Sequence, residues 1–228
     1  HEQVVRRLAF ADELERYGPR SPVAATVGFS RDYCRYVAKS HYENFTVASW
    51  LLPRKLRLHF HAVYAWCRWA DDLADETANS LELLAWWRAE LEACYRGRPQ
   101  HPVTSSLAMT VKEFGIPEQL FLDLLSAFEQ DQRIKDYDCF DQLHDYCRRS
   151  ANPVGRIVLY LFESHDDVRG RLSDEICTGL QLANFWQDVR RDCEMGRIYL
   201  PREDRQCFGY TDAALAGRIC DGSFRELL

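Results

Sequence analysis

The run HFHAVYAWCRWADDLADE, residues 59–76, constrains this chain more than any other stretch. Its apolar side chains recur at helical spacing on nearly every face, and then three aspartates and a glutamate fall within six residues. A helix that is apolar nearly all round belongs inside a bundle rather than on its surface. Carboxylates at i and i+4, such as Asp71 and Asp75, have Cβ atoms only about 6 Å apart. At an effective dielectric of about 20, such a pair repels by about 2–3 kcal/mol. The macrodipole at a helix C-terminus also disfavours anions. Something positive has to offset both effects.

Helical periodicity continues through the rest of the chain. Caps and breakers set the expected boundaries. They give a short helix from Ser30 to Lys39, another after SHYENF, and a long one from Pro53 to near Glu76. Ser80 caps a helix that stops at Gly97, Pro102–Phe114 is stopped by Gly115, and Pro117–Arg133 follows. Residues 140–162 are helical on both sides of SANPVG, where Pro153 must kink or break the helix. Ser173 caps a helix to Met195, Gly196 ends it, and GRIYLPRED is a loop entering a short helix at Pro201. No strand series, internal repeat or low-complexity linker appears. The expectation is an all-α fold of roughly eight helices, a single domain over residues 1–228. SFRELL at the C-terminus reads as the start of a further helix, so helices beyond Leu228 are expected. HEQVVRRLAF has no apolar leader region, and its lack of Met reads as a trimmed start.

Net charge is −6 and there is no basic stripe, which argues against a nucleic acid partner. No run approaches the roughly 18 apolar residues of a spanning helix, and peripheral attachment to a membrane stays open. The nine cysteines are odd in number and contain no CxxC, so they read as small buried hydrophobes of a reducing compartment rather than disulfides or a zinc site.

Two constellations carry chemistry. Tyr64, Arg68, Asp71 and Asp75 share one helix stripe, with Asp72 to one side. Gln181, Asn184, Asp188 and Asp192 repeat the design on a second apolar helix. Oxygen ligands without His or Cys favour a hard cation, Mg²⁺ before Zn²⁺, whose shell is completed by water and phosphate oxygens. Arg68 is placed to bind a phosphate oxygen. Each motif alone also describes a solvated or salt-bridged helix end. Two such helices facing each other across a core would instead hold two or more Mg²⁺ ions and a diphosphate.

YAWCRWADDLAD and QLANFWQDVRRD resemble the two aspartate-rich motifs of the squalene/phytoene synthase family. HYENF resembles that family's His-x-x-x-Phe segment, and GRIYLP its loop after the second motif. ENFTVASWLLP, ANPVG and NFWQDV look like its hydroxysqualene synthase branch. Gln187 stands where many members carry Arg, and SANPVG stands where many carry a Gly-Thr-Val-Gly type of sequence.

The resemblance implies an all-α prenyl synthase bundle with a central cavity. Asp71, Asp75, Asn184 and Asp188 would hold Mg²⁺, with Asp192 assisting. His41, Tyr64, Arg68 and Gln181 would contact the diphosphate or its first carbons, and Phe45 and Tyr146 would line the channel. The implied reaction is Mg²⁺-dependent ionisation of presqualene diphosphate with capture by water, without a nicotinamide. Asp71, Asp75, Tyr64, Arg68 and Asp188 would carry it, alongside other enzymes of squalene formation in the bacterial cytoplasm. Two alternatives stand beside this one: head-to-head condensation of two prenyl diphosphates, and a synthase-like assembly protein without catalysis.

Overall fold

The helix around Trp66 runs from Arg57 to Asp75 and is packed by four others. A computed structural model of the protein describes residues 9–21, 25–40 and 52–228. Among them are thirteen helices: α1 (Phe10–Tyr17), α2 (Val27–Ser40), α3 (Arg57–Asp75), α4 (Ser80–Tyr95), α5 (Pro102–Phe114), α6 (Glu118–Asp131), α7 (Phe140–Ser150), α8 (Asn152–Leu161), α9 (Asp167–Gln187), α10 (Val189–Glu194), α11 (Arg202–Cys207), α12 (Asp212–Ala216) and α13 (Gly222–Leu227). The fold is all-α, as expected from the periodicity. The helix foreseen after SHYENF lies outside the described residues.

α3 lies against α2, α4, α5 and α6, and Ala62, Ala65, Trp66, Trp69, Ala70 and Leu73 on it are fully buried. Small residues beside large ones let the neighbouring helices approach while the indoles fill the gaps. Trp66 and Trp69 stack on Trp87 of α4 with ring centroids 6.2 and 5.5 Å apart. Phe121 of α6 meets Trp66 edge-on at 4.8 Å. Truncating such a buried ring costs about 3–5 kcal/mol. This core fixes the direction of α3 and so the place where its acidic end emerges.

A second, smaller cluster joins Ala127, Tyr137, Leu143, Tyr146, Cys147, Phe185 and Tyr199. It ties α6, α7 and α9 to the segment after α10. That segment is pinned by an isolated parallel bridge between Asp136 and Ile198, with the Ile198 amide donating to the Lys135 carbonyl at 2.7 Å. The buried Arg205 guanidinium clamps the same region, donating to both Asp136 oxygens at 2.8 and 3.0 Å and to the Leu200 carbonyl at 3.1 Å.

Several boundaries differ from the sequence reading. α3 begins at Arg57 because residues 54–56 form a turn after Pro53. Asn79, not Ser80, precedes α4, and the Ser80 hydroxyl instead donates to Gln132. α6 ends at Asp131 rather than Arg133. Ser173 lies inside α9, whose N-cap is Asp166, its carboxylate accepting from the Arg169 amide at 2.7 Å. The helix expected to reach Met195 breaks at Asp188, and α10 resumes from Val189. The nine cysteines are free thiols, but only Cys34, Cys94 and Cys147 are buried, and Cys207 and Cys220 are exposed.

Candidate active site

The acidic end of α3 and the second acidic row share the wall of one cavity of about 280 Å³. Asp71 enters from α3, Gln181 and Asn184 from α9, Asp188 from the break after it, and Asp192 from α10. Asp131, Tyr146, Ser150, Arg197 and Tyr199 complete the polar lining, and Leu124, Ala127, Phe128 and Phe185 supply apolar surface. Asp75 is tied to this wall by Arg197, whose guanidinium donates to Asp75 Oδ1 at 2.5 Å. The two rows therefore converge.

The positive charge that the first row demands is present twice. Arg68 meets Asp71 at 3.0 Å and the fully buried Asp72 at 2.6 Å. Arg197 meets Asp75. These two arginines do not neutralise everything. Burial, reinforced by Asp75 and Asp72, pushes the Asp71 carboxyl up to about 6, although Arg68 and Arg197 act the other way. Burial also pushes Asp192 up to about 6, with Asp188 adding to it and Arg197 and Arg191 opposing. For Arg197, burial works against the cation. The hydrogen bond to Asp75 and the charges of Asp75 and Asp131 outweigh it, so its pKa is raised.

Asp131 is buried and takes the Tyr146 hydroxyl at 2.6 Å and the Tyr199 hydroxyl at 3.4 Å. Burial raises its carboxyl, partly offset by the Tyr146 hydrogen bond. Burial and the Asp131 charge hold the Tyr146 phenol well above its ordinary value, so it stays protonated. Tyr199 stacks on Phe185 with centroids 4.0 Å apart and planes 9° apart. The result is a cavity lined by both charged groups and aromatic rings.

Of the residues singled out in the sequence, the structure places Asp71, Tyr146, Gln181, Asn184, Asp188 and Asp192 in the lining of one cavity. Tyr64 and Arg68 lie further back on α3 and are not part of that lining. Arg68 is engaged with the α3 acids rather than turned to the cavity lining. His41 and Phe45 lie outside the described residues. Asp131 and Arg197 are functional candidates that spacing alone does not reveal, since each stands far in sequence from the residue it serves. Arg149 is salt-bridged to Asp145 and Arg156 to Asp174, as surface arginines flanking a kink would be. They border a second hollow of about 660 Å³ that shares no residue with the first and has none of the acidic row.

No three His, Cys, Asp or Glu side chains among the described residues stand together as a ready metal site. The donor set nonetheless fits a hard cation. It is all oxygen, and two of its carboxylates, Asp71 and Asp192, are held up near 6 by burial and by uncompensated neighbouring charge. Mg²⁺ needs only one or two protein carboxylates when phosphate and water supply the remainder. Among the described residues no helix is long and apolar enough to cross a membrane.

Residues 38–228 match the family model described as squalene/phytoene synthase. The chain is 31% identical over 220 residues to a phytoene synthase of Arthrospira platensis, covering 90% of this chain and 71% of that protein. It is 39% identical over 166 residues to a hydroxysqualene synthase of Rhodopseudomonas palustris, covering 71% of this chain and 56% of that protein. A crystal structure of squalene synthase HpnC from Alicyclobacillus acidocaldarius superposes with a TM-score of 0.85 at 43% identity, over 88% of this chain and 77% of that one. The chain thus spans little more than half the length of the hydroxysqualene synthase it matches.

Proposed function

The chain belongs to the squalene/phytoene synthase family, whose members act on prenyl diphosphates, and from that premise we propose that it ionises presqualene diphosphate and lets water capture the rearranged cation. The observation that carries this reading is the convergence of Asp71, Asn184, Asp188 and Asp192 on one cavity that aromatic rings also line. The hydroxysqualene synthase relative, 39% identical over 166 residues, supports water capture, and the phytoene synthase relative, 31% identical over 220 residues, supports condensation.

In the proposed reaction the C–O bond breaks and the diphosphate departs with the electron pair. Mg²⁺, held by Asp71, Asp75, Asn184 and Asp188 with Asp192 assisting, would supply charge that stabilises the leaving group. Arg68 and Arg197 are paired with Asp71 and Asp75, and their charge acts in the same direction. Phe185, Tyr199 and Tyr146 line the cavity and would give the remaining carbocation aromatic surroundings. The Tyr146 phenol is protonated and donates to Asp131, which fixes its ring in the cavity lining. Water adds to the cation and releases one proton to solvent.

The test is product analysis with presqualene diphosphate and Mg²⁺ in the absence of nicotinamide. Hydroxysqualene and diphosphate in equal amounts are expected. Consumption of farnesyl diphosphate by the protein alone would instead establish the condensing reading, for which the phytoene synthase relatives are the support. No Mg²⁺-dependent turnover of either substrate would leave a non-catalytic role.

A further inference from the structure

Arg197 occupies a place that the metal reading assigns to cations. It lines the cavity, its side chain is 16% exposed, and it donates to Asp75 Oδ1 across 122 residues of sequence. Its charge reaches both rows, acting on Asp71 from one and on Asp192 from the other, as well as on Asp131. Its backbone has little freedom. Gly196 turns the chain at φ 74°, the Arg197 amide donates to the Asp192 carbonyl at 2.8 Å, and the next amide is fixed to Lys135. Any rearrangement of the guanidinium is therefore a matter of side-chain torsions.

We propose that Arg197 makes divalent metal binding conditional on diphosphate, because the guanidinium holds the Asp75 carboxylate until a phosphate oxygen draws it away. The inference rests on the reading of this cavity as a metal–diphosphate site. A divalent ion approaching Asp75 meets a unit cation already on that carboxylate, and like charges at this range repel strongly in a partly buried setting. Diphosphate changes the balance. The planar guanidinium fork matches phosphate oxygens, and these can take both of its edges. Once Arg197 turns to the phosphate, Asp75 is released to the metal, and the metal in turn holds the phosphate. Metal and diphosphate then favour each other by the same factor, as linkage requires. Arg197 is a positioning residue in this scheme, and metal-free protein keeps its two acidic rows joined without needing an ion.

Thermal unfolding tests this without substrate turnover. Wild type and Arg197→Gln are melted with Mg²⁺ alone, with inorganic diphosphate alone, and with both. For wild type, Mg²⁺ alone raises the Tm only at concentrations at least about tenfold above those that suffice with diphosphate present. For Arg197→Gln, Mg²⁺ alone raises the Tm, with a midpoint at least about tenfold lower than for wild type, an ordinary coupling factor. A variant that still requires diphosphate, or whose Mg²⁺ midpoint is unchanged or higher, overturns the proposal. So does a wild type that Mg²⁺ alone stabilises at the same midpoint. Failure of wild type to respond to Mg²⁺ and diphosphate together would sink the metal reading as well, which separates the two failures. Arg197→Met, which keeps the aliphatic stem packed, takes the place of the Gln variant if that one does not fold.

Discussion

Tyr146 donates its hydroxyl to Asp131 at 2.6 Å, and both side chains are buried in the lining of the acidic cavity. Asp131 also accepts from Tyr199 at 3.4 Å, so one carboxylate orients two phenols. Asp131→Ala leaves a buried phenol without its acceptor and is expected to cost about 1–3 kcal/mol. Asp131→Asn retains an acceptor oxygen and should lose less. Urea unfolding of the three proteins orders them wild type, Asn, Ala. An Ala variant as stable as wild type would show that the hydrogen bond contributes nothing to the native state.

Asp71 and Asp192 both have folded-state carboxyls near 6, above the ordinary 3.8. The native chain therefore binds these protons more readily than the unfolded chain does. Their stabilising contribution is complete below about 4 and is lost as pH rises through 6. Metal-free protein at pH 7.5 carries the penalty in full. Asp71→Asn should then be more stable than wild type in EDTA, by on the order of 1 kcal/mol once solvent screening of a carboxylate 42% exposed is allowed for. The advantage should vanish near pH 4. Thermal melts at the two pH values decide it, and an Asn variant less stable at pH 7.5 contradicts the sign.

His101 behaves in the opposite sense. Its ring stands 4.3 Å from Trp69 and 4.9 Å from Trp87, and burial lowers its pKa from 6.5 to about 3. Its Nδ1 accepts from the Val103 amide at 3.1 Å and so starts α5. The unfolded chain takes up this proton below about 6.5, whereas the folded chain resists until about 3. Stability is thus lost as pH falls across that window, with a slope approaching about 1.4 kcal/mol per pH unit. His101→Gln keeps an acceptor for Val103 and removes the titration. Denaturant midpoints between pH 7 and 4 should fall less steeply for the variant, and equal slopes would count against this histidine as the cause.

The all-α fold was legible in the sequence because it rests on helical spacing, and spacing also put each acidic row on one stripe, whereas the meeting of the two rows was what the family resemblance implied. The stripe through Asp71 and the stripe through Asn184 and Asp188 each point one way once the helices form, and the apolar residues on α3 determine which way is inward. Helix starts were less legible. Ser173 is a good capping residue, yet α9 begins about two turns earlier, because Asp166 caps it. Arg197 and Asp131 were not legible as site residues. Their roles depend on the bridge that brings the segment after α10 against residues 135–138, a contact with no local signal. The loop GRIYLP and Asp75 were each visible, but their pairing through Arg197 was not.

Gly155 is where α8 touches α9. A Cβ at this position would lie 2.3 Å from Ser173 Oγ and 2.5 Å from Cys177 Sγ, both on α9. Nearby, Thr178 donates to the buried Asn152 at 2.9 Å, so the two helices are held close as well as allowed close. Gly155→Ala must rotate both side chains or push α9 outward, and overpacking of this kind costs about 1–3 kcal/mol. α9 carries Gln181 and Asn184 beyond the contact, so an outward shift also spoils the second row. The variant should lose stability and also show a smaller Tm rise with Mg²⁺ and diphosphate than wild type does. Adding Ser173→Ala and Cys177→Ala removes the two obstructing atoms and should restore most of both losses. If the triple variant recovers neither, the close approach at Gly155 does not set the position of α9. If it recovers stability but not the ligand response, the contact serves packing alone.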